Sequence, residues 1–424
     1  MALLKTIFSE TYWMQLDECV SERATTEAFL DNPQKSMVVS TLLVRFSLCK
    51  LGAHAEGSAK NETLSILGMK SNVTTCYTSV ADAMLATIDL DMLLYNKMIF
   101  DYRINVSAPF LNSTTNFGVT VDQTSFKYPK LAVSFVNQWI DKSSIRRISD
   151  VLDVDDIDNK TSFLIVSATY LKVTWEFPFD IRLTKNMKFH HHDGNISIVP
   201  MMKRTVTCLY LEDPITVIFL CYVSIYLILQ ILNILDPNTC FFFFINFHSQ
   251  FVNLKLAAFG MSLTIAVPST PRHLVELIQQ LSPQTLQGVY NRMEYENVDV
   301  MLPRFKIKSG VDWNKYLKKI GLHTAFNETN SGLNGILTQN SQIKNIYLSK
   351  VKQKCVIDVD EMGIYRHKVD DRNSFNDPHQ LRDNYGPIVK VDHPFLFFVN
   401  LQKDPSNRLD MNELITGVYY GPDY

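Results

Sequence analysis

The chain has 424 residues, 46% of them hydrophobic, which suffices for a large core and by length alone would allow two or three domains. A formal net charge of -2 with 20% charged residues excludes the basic field that nucleic acid or an anionic membrane surface would attract. Seven cysteines (Cys19, Cys49, Cys76, Cys208, Cys221, Cys240 and Cys355) lie scattered without CxxC spacing, so they read as buried thiols with at most one bridge.

Residues 1–8 are too short for the apolar region of a signal peptide and show no small-residue cleavage site. Seven Asn-x-Ser/Thr sequons nevertheless occur, at Asn61, Asn72, Asn105, Asn112, Asn159, Asn195 and Asn327. The two signals are reconciled by an extracellular glycoprotein whose true N-terminus differs from this one; an intracellular location is the alternative. Residues 1–29 give no defined element.

Residues 37–52 mix apolar runs with Arg45 and Lys50 and read as a mostly buried helix. Residues 133–152 read as a second helix, with Phe135, Trp139, Ile140, Ile145 and Ile148 near 3.6 spacing. Four aspartates between 153 and 158 lack the glycine and glutamate positions of a calcium loop. Residues 161–171 form a β-branched apolar run suited to a central strand covered on both faces. In His190-His191-His192-Asp193 adjacent side chains would point to opposite faces and Gly194 opens a turn, so a surface loop is expected rather than a metal site.

Residues 215–235 carry no charge and match the roughly 20 residues of a transmembrane helix. A phenylalanine-rich stretch follows at 241–247. The block reads as a membrane span, as a buried hairpin or as non-coding sequence translated by mistake, and the third is favoured. Val223-Ser224 can be encoded by a donor-like GTAAGT, the phenylalanine run by a pyrimidine tract, and Gln250 by an acceptor-like CAG. Excising 223–250 joins two stretches that look like one sheet region. No basic flank marks an inside face for a span.

Further strands are expected at 263–267, 298–305 and 347–359, and a helix at 311–321 ended by Gly321. Apolar residues on both sides of Asp392-His393-Pro394 predict a buried strand entered through a rigid corner. Helices come early and strands dominate late, which is an α+β order. There is no internal repeat, and no GxSxG, Walker or Rossmann pattern, so no enzyme, cofactor or metal is expected.

The run Val389-Lys-Val-Asp-His-Pro-Phe-Leu-Phe-Phe-Val399 resembles, position for position, the signature of the serpin family. Ser167-Ala-Thr-Tyr-Leu-Lys-Val-Thr-Trp175, followed by Phe179, is similar to the family's Asn-Ala-x-Tyr-Phe-Lys-Gly-x-Trp strand. Phe189 with Val199-Pro-Met-Met202, Leu302-Pro-Arg-Phe305, the Leu317 to Phe326 stretch and the closing strand at 415–421 resemble further family blocks. The matches run from about residue 30 to the end, broken only by 215–250. The resemblance implies one monomeric domain with three β-sheets, eight or nine helices and an exposed reactive loop. In inhibitory serpins a serine protease cleaves that loop, becomes trapped as an acyl-enzyme, and is carried across the molecule as the loop inserts into the largest sheet.

The resemblance breaks at the hinge of the loop. The family pattern Glu-Glu-Gly-Thr followed by small residues becomes Glu361-Met362-Gly363-Ile364-Tyr365-Arg366-His367-Lys368-Val369-Asp370. Inserted residues alternate in facing, so Ile364, Arg366, Lys368 and Asp370 would turn inward. An unpaired buried charge costs several kcal/mol. The switch region under the sheet, which the resemblance places at Ser40, Ser167, Trp175 and Gln353, has Ser167 for an asparagine and Gln353 for a histidine. Counting from the hinge puts the scissile bond near Asp377-Pro378; counting back from Pro394 puts it near Arg382-Asp383, which suits a trypsin-like protease. The region 61–86 is not basic, so heparin-type activation is not indicated. Two functions fit these residues: a serpin-like protein that inhibits weakly or not at all, and a working inhibitor with Arg382 as bait. A membrane-attached protein using 215–235 is the third.

Overall fold

The computed structural model describes residues 20–69, 92–113, 118–213, 248–280, 283–341, 343, 345–362, 386–402 and 411–422. Its α-helices are α1 (Val20–Asp31), α2 (Thr41–His54), α3 (Gly57–Ile66), α4 (Ala108–Asn112), α5 (Pro129–Ser143), α6 (Leu274–Gln280), α7 (Pro283–Arg292) and α8 (Asn314–Lys319). The strands are β1 (Met37–Val39), β2 (Met92–Asp101), β3 (Thr120–Thr124), β4 (Phe163–Lys172), β5 (Lys185–His190), β6 (Ile196–Asp213) and β7 (Ser249–Lys255). They continue with β8 (Met261–Pro268), β9 (Glu294–Pro303), β10 (Phe305–Asp312), β11 (Leu348–Val359), β12 (Ile388–Lys390), β13 (Phe395–Gln402) and β14 (Met411–Tyr419).

Two hydrogen-bonded sheets result among the described residues. One has the order β10-β11-β4-β2-β3; the other runs β1-β14-β13-β8-β7-β6-β9-β12, with β5 paired to β6. Three sheets are expected from the resemblance. The long β6 runs from one of them into another, so two appear here as one continuous nine-stranded sheet. In the five-stranded sheet β4 is buried along nearly its whole length, as its β-branched composition requires. One face packs on the main core and the other lies under α5, through Leu164, Val166, Ala168 and Tyr170. The corner at Asp392-His393 delivers β13 into the nine-stranded sheet between β8 and β14. Gly417 on β14 is required there, because a Cβ would stand 2.0 Å from the Phe397 ring.

Several element boundaries differ from the sequence expectation. Met37 to Val39 is extended and pairs with β14, so the helix begins only after Ser40; a short apolar run is compatible with either state. The helix expected over 133–152 stops at Ser143. Ile145 and Arg146 take left-handed φ values of 53° and 61°, and the Ser144 hydroxyl accepts from Ile148 N. Its buried stripe is Ala132, Val133, Val136 and Ile140, while Phe135 and Ile145 face solvent. The strand expected at 298–305 is two strands, parted at Arg304 after Pro303, which has no N–H to continue a ladder. Val311 belongs to β10, and the following helix starts at Asn314 where Asp312 accepts from its N–H; Gly321 at φ 113° lies just beyond that helix.

Candidate functional site

The segment expected to open the reactive-loop hinge is held by side chains from three directions. Glu361 is buried, and its carboxylate accepts from Arg304 at 2.5 Å and from Thr184 Oγ1 at 2.7 Å. Burial works against its charge, and these hydrogen bonds outweigh it, so the carboxyl is held below the ordinary glutamate range. Backbone bonds do the rest: Trp175 N donates to Met362 O at 3.1 Å and Phe179 N to Glu361 O at 3.1 Å. The Trp175 indole donates to Asp360 O at 2.6 Å, so this tryptophan is tied to the hinge.

Below the hinge, β4 and β11 lie side by side and parallel, from Phe163 opposite Leu348 to Lys172 opposite Asp358. The family resemblance implies that an inserted strand would enter at this seam. Its upper end is closed by Lys172, which donates to Asp358 at 3.2 Å and also to Asp360. Burial lowers the pKa of Lys172, and the two aspartates outweigh it. Lys306 adds a second cation on Asp358 at 2.9 Å.

The residues expected to form the switch region divide. Ser40, Ser167 and Gln353 meet beneath the seam, all buried, with Gln353 Nε2 donating to Ser167 Oγ at 3.2 Å and to Ser40 O at 2.9 Å. Ser40 Oγ donates to Leu414 O at 2.9 Å, linking the group to β14. Trp175 is not part of this group: it lies beyond the end of β4 and belongs with the hinge. Arg304, Thr184, Lys172, Asp358 and Asp360 carry no sequence motif that marks them for these contacts. The opposite charges of Lys172 and Asp358 on two expected neighbouring strands were the signal available for one of these contacts.

Gly363, Ile364, Tyr365, Arg366, Arg382 and Asp383 lie outside the described residues, as do Asn72 and residues 215–235. Of the remaining sequons, Asn61, Asn105, Asn112, Asn159, Asn195 and Asn327 are all exposed. His190 ends β5, and Asp193 and Gly194 are exposed in the turn that follows. Among the described residues no group of three or more histidine, cysteine or acidic side chains is arranged to hold a metal, and no helix is long and apolar enough to cross a membrane. Cys49 is disulfide-bonded. Cys208 and Cys355 are free and buried, and burial pushes both thiols up to about 12.

The uncharged block falls between two strands of one hairpin. β6 and β7 are antiparallel neighbours, and Asp213 stands opposite Ser249. Gln250, expected to be the last residue of an excised segment, is itself in β7 opposite Glu212. The hairpin ladder therefore resumes at Ser249.

A family model described as Serpin (serine protease inhibitor) matches residues 23–235 and 236–407, so its two parts meet where the uncharged stretch 215–235 ends. Antichymotrypsin-2 of Bombyx mori is 23% identical over 89% of this chain and 92% of its own length. Human Serpin B8 is 26% identical over 63% of this chain and 62% of its own. Among solved structures, native protease nexin-1 with heparin superposes with a TM-score of 0.74 at 21% identity, covering 95% of this chain and 97% of that one. Human thyroxine-binding globulin, solved in complex with thyroxine, gives a TM-score of 0.75 at 17% identity, covering 96% of this chain and 98% of that one.

Proposed function

The chain belongs to the serpin family, and on that premise we propose that it is a protease-inhibitor-like protein whose loop is cut by proteases but inserts poorly. The observation that carries this reading is the hinge. After the held Glu361 and Met362 come Arg366, Lys368 and Asp370 at alternate positions, on one face of any strand the loop would form. A strand entering the seam would lie between β4 and β11, both of which are largely buried. Three charges in that row oppose insertion even if two of them pair, and Tyr365 adds bulk where the family uses small residues.

The protein acts without catalytic residues of its own, as a monomer, on a serine protease or another ligand. Its location is extracellular, a reading supported by the exposure of the six described sequon asparagines. Residues 214–248 are an insertion at the end of the β6–β7 hairpin, a reading supported by the facing of Asp213 and Ser249.

The test is a panel of trypsin-like and chymotrypsin-like proteases with denaturing gels as readout. Cleavage between Gly363 and Pro387 without a covalent adduct is expected. An SDS-stable adduct formed by attack at Arg382-Asp383 would establish the working trypsin-directed inhibitor instead.

A further inference from the structure

Histidines from separate segments border one short connection in the nine-stranded sheet. β8 ends at Pro268 and α6 starts at Leu274, with one 3-10 turn, Pro271–His273, between them. His248 stands just before β7, and its carbonyl accepts from Ser269 N at 2.6 Å. His192, in the turn after β5, donates from Nδ1 to Pro271 O at 3.1 Å. His393 donates from Nε2 to Pro268 O at 2.6 Å, and its Nδ1 lies 3.1 Å from Asp392 Oδ1, so both of its ring nitrogens are engaged.

His248 and His273 differ from these two. Their rings lie 5.6 Å apart, centre to centre, tilted by 37°. His273 has Nδ1 2.8 Å from Ser269 Oγ and 3.3 Å from Thr270 Oγ1, so the hydroxyls that it meets are on one side of the ring. In the tautomer whose Nδ1 donates to Ser269, the lone pair is on Nε2. His248 Nδ1 is buried and has no hydrogen-bond partner among the described residues. A buried nitrogen left unpaired costs free energy, and nothing in the family resemblance accounts for it.

We propose that His248 and His273 form a two-histidine site for a divalent transition metal, zinc above all. A metal about 2.0–2.1 Å from one nitrogen of each ring lies about 3.2 Å from each ring centre, and a tetrahedral angle at the metal then sets the centres about 5.2 Å apart. The separation of 5.6 Å is close to this, so a small shift of either side chain seats the ion. The ion would satisfy His248 Nδ1, while Ser269 fixes the tautomer and orientation of the His273 ring, as hydrogen-bond partners of metal-bound imidazoles do. Imidazole nitrogens with no carboxylate beside them favour zinc, copper or nickel over magnesium or calcium. Among the described residues no third histidine, cysteine or acidic side chain completes the set, so water fills the other positions and the ion exchanges. When bound, it ties the residue ahead of β7, at the end of the block 214–248, to the start of α6.

The site does not depend on the fate of the reactive loop. Calorimetric titration of the tag-free, full-length protein with zinc chloride at about pH 7.5 tests it, with magnesium chloride as the control. One zinc ion per chain is expected, with affinity reduced at least about tenfold in His248→Gln and in His273→Gln and unchanged in His192→Gln. Ligating imidazoles must be neutral, so binding should be lost by about pH 5. Nitrogen NMR of the histidine side chains in the wild-type protein needs no variant: zinc should shift His248 Nδ1 and His273 Nε2. No zinc binding, zinc shifts confined to His190, His191 and His192, or wild-type affinity in both His248→Gln and His273→Gln would overturn the proposal.

Discussion

Gln353 and Ser40 are joined at both ends of one amide: Gln353 Oε1 accepts from Ser40 N at 3.0 Å and Nε2 donates to Ser40 O at 2.9 Å. Ser40 is the extended residue that precedes α2, so a single side chain on β11 holds the start of that helix. The same Nε2 reaches Ser167 on β4, which makes Gln353 a link across the seam on the core face.

Gln353→Ala therefore leaves a buried N–H and a buried C=O on Ser40 without these partners. The expected loss is about 2–4 kcal/mol of folding stability, measured by urea unfolding. A loss below about 0.5 kcal/mol would mean that Ser40 finds other partners at little cost.

Glu361→Gln removes the charge that Arg304 and Thr184 hold at the hinge. A loss of about 1–2 kcal/mol is expected at neutral pH. The Glu361 pKa is lowered on folding, so its contribution is full above the ordinary glutamate range and fades as pH falls through the folded-state value. The variant should accordingly lose less stability than wild type on acidification; parallel acid profiles for the two proteins would refute the assignment.

Asp392 at the entry to β13 is a second acid-sensitive group. Burial works against its charge, but His393 at 3.1 Å and Lys390 at 2.7 Å bring its pKa down to about 2. Its stabilising effect should be complete above the ordinary aspartate range, near pH 4, and disappear as pH falls toward 2. His393→Ala should raise the Asp392 pKa, as followed by carboxyl-carbon NMR.

Replacing residues 214–248 by a two-residue Asn-Gly turn should leave the fold intact, because Asp213 and Ser249 already face one another. The shortened protein is expected to melt within about 5 °C of the full chain. Failure to fold would show that the block supplies part of the core.

The legible parts of this fold are those with strong local patterns. β4 and β11 follow from β-branched and alternating runs, and the Asp392-His393-Pro394 corner follows from proline geometry. The end of α5 was not legible, since Ile145 and Arg146 adopt positive φ without the glycine that usually marks it. The meeting of Ser40, Ser167 and Gln353 was accessible through the family resemblance, and their chemistry through the residues themselves. The Asp156–Lys352 and Arg304–Glu361 ion pairs join residues far apart in the chain, and no local pattern announces such a contact.

If the loop is cut without entering the sheet, as we propose, cleavage leaves the melting temperature nearly unchanged. The loop-cleaved and intact proteins are expected to melt within about 5 °C of each other. A rise of tens of degrees after cleavage would mean that the loop, charges included, has become a strand between β4 and β11, and the claim would be wrong.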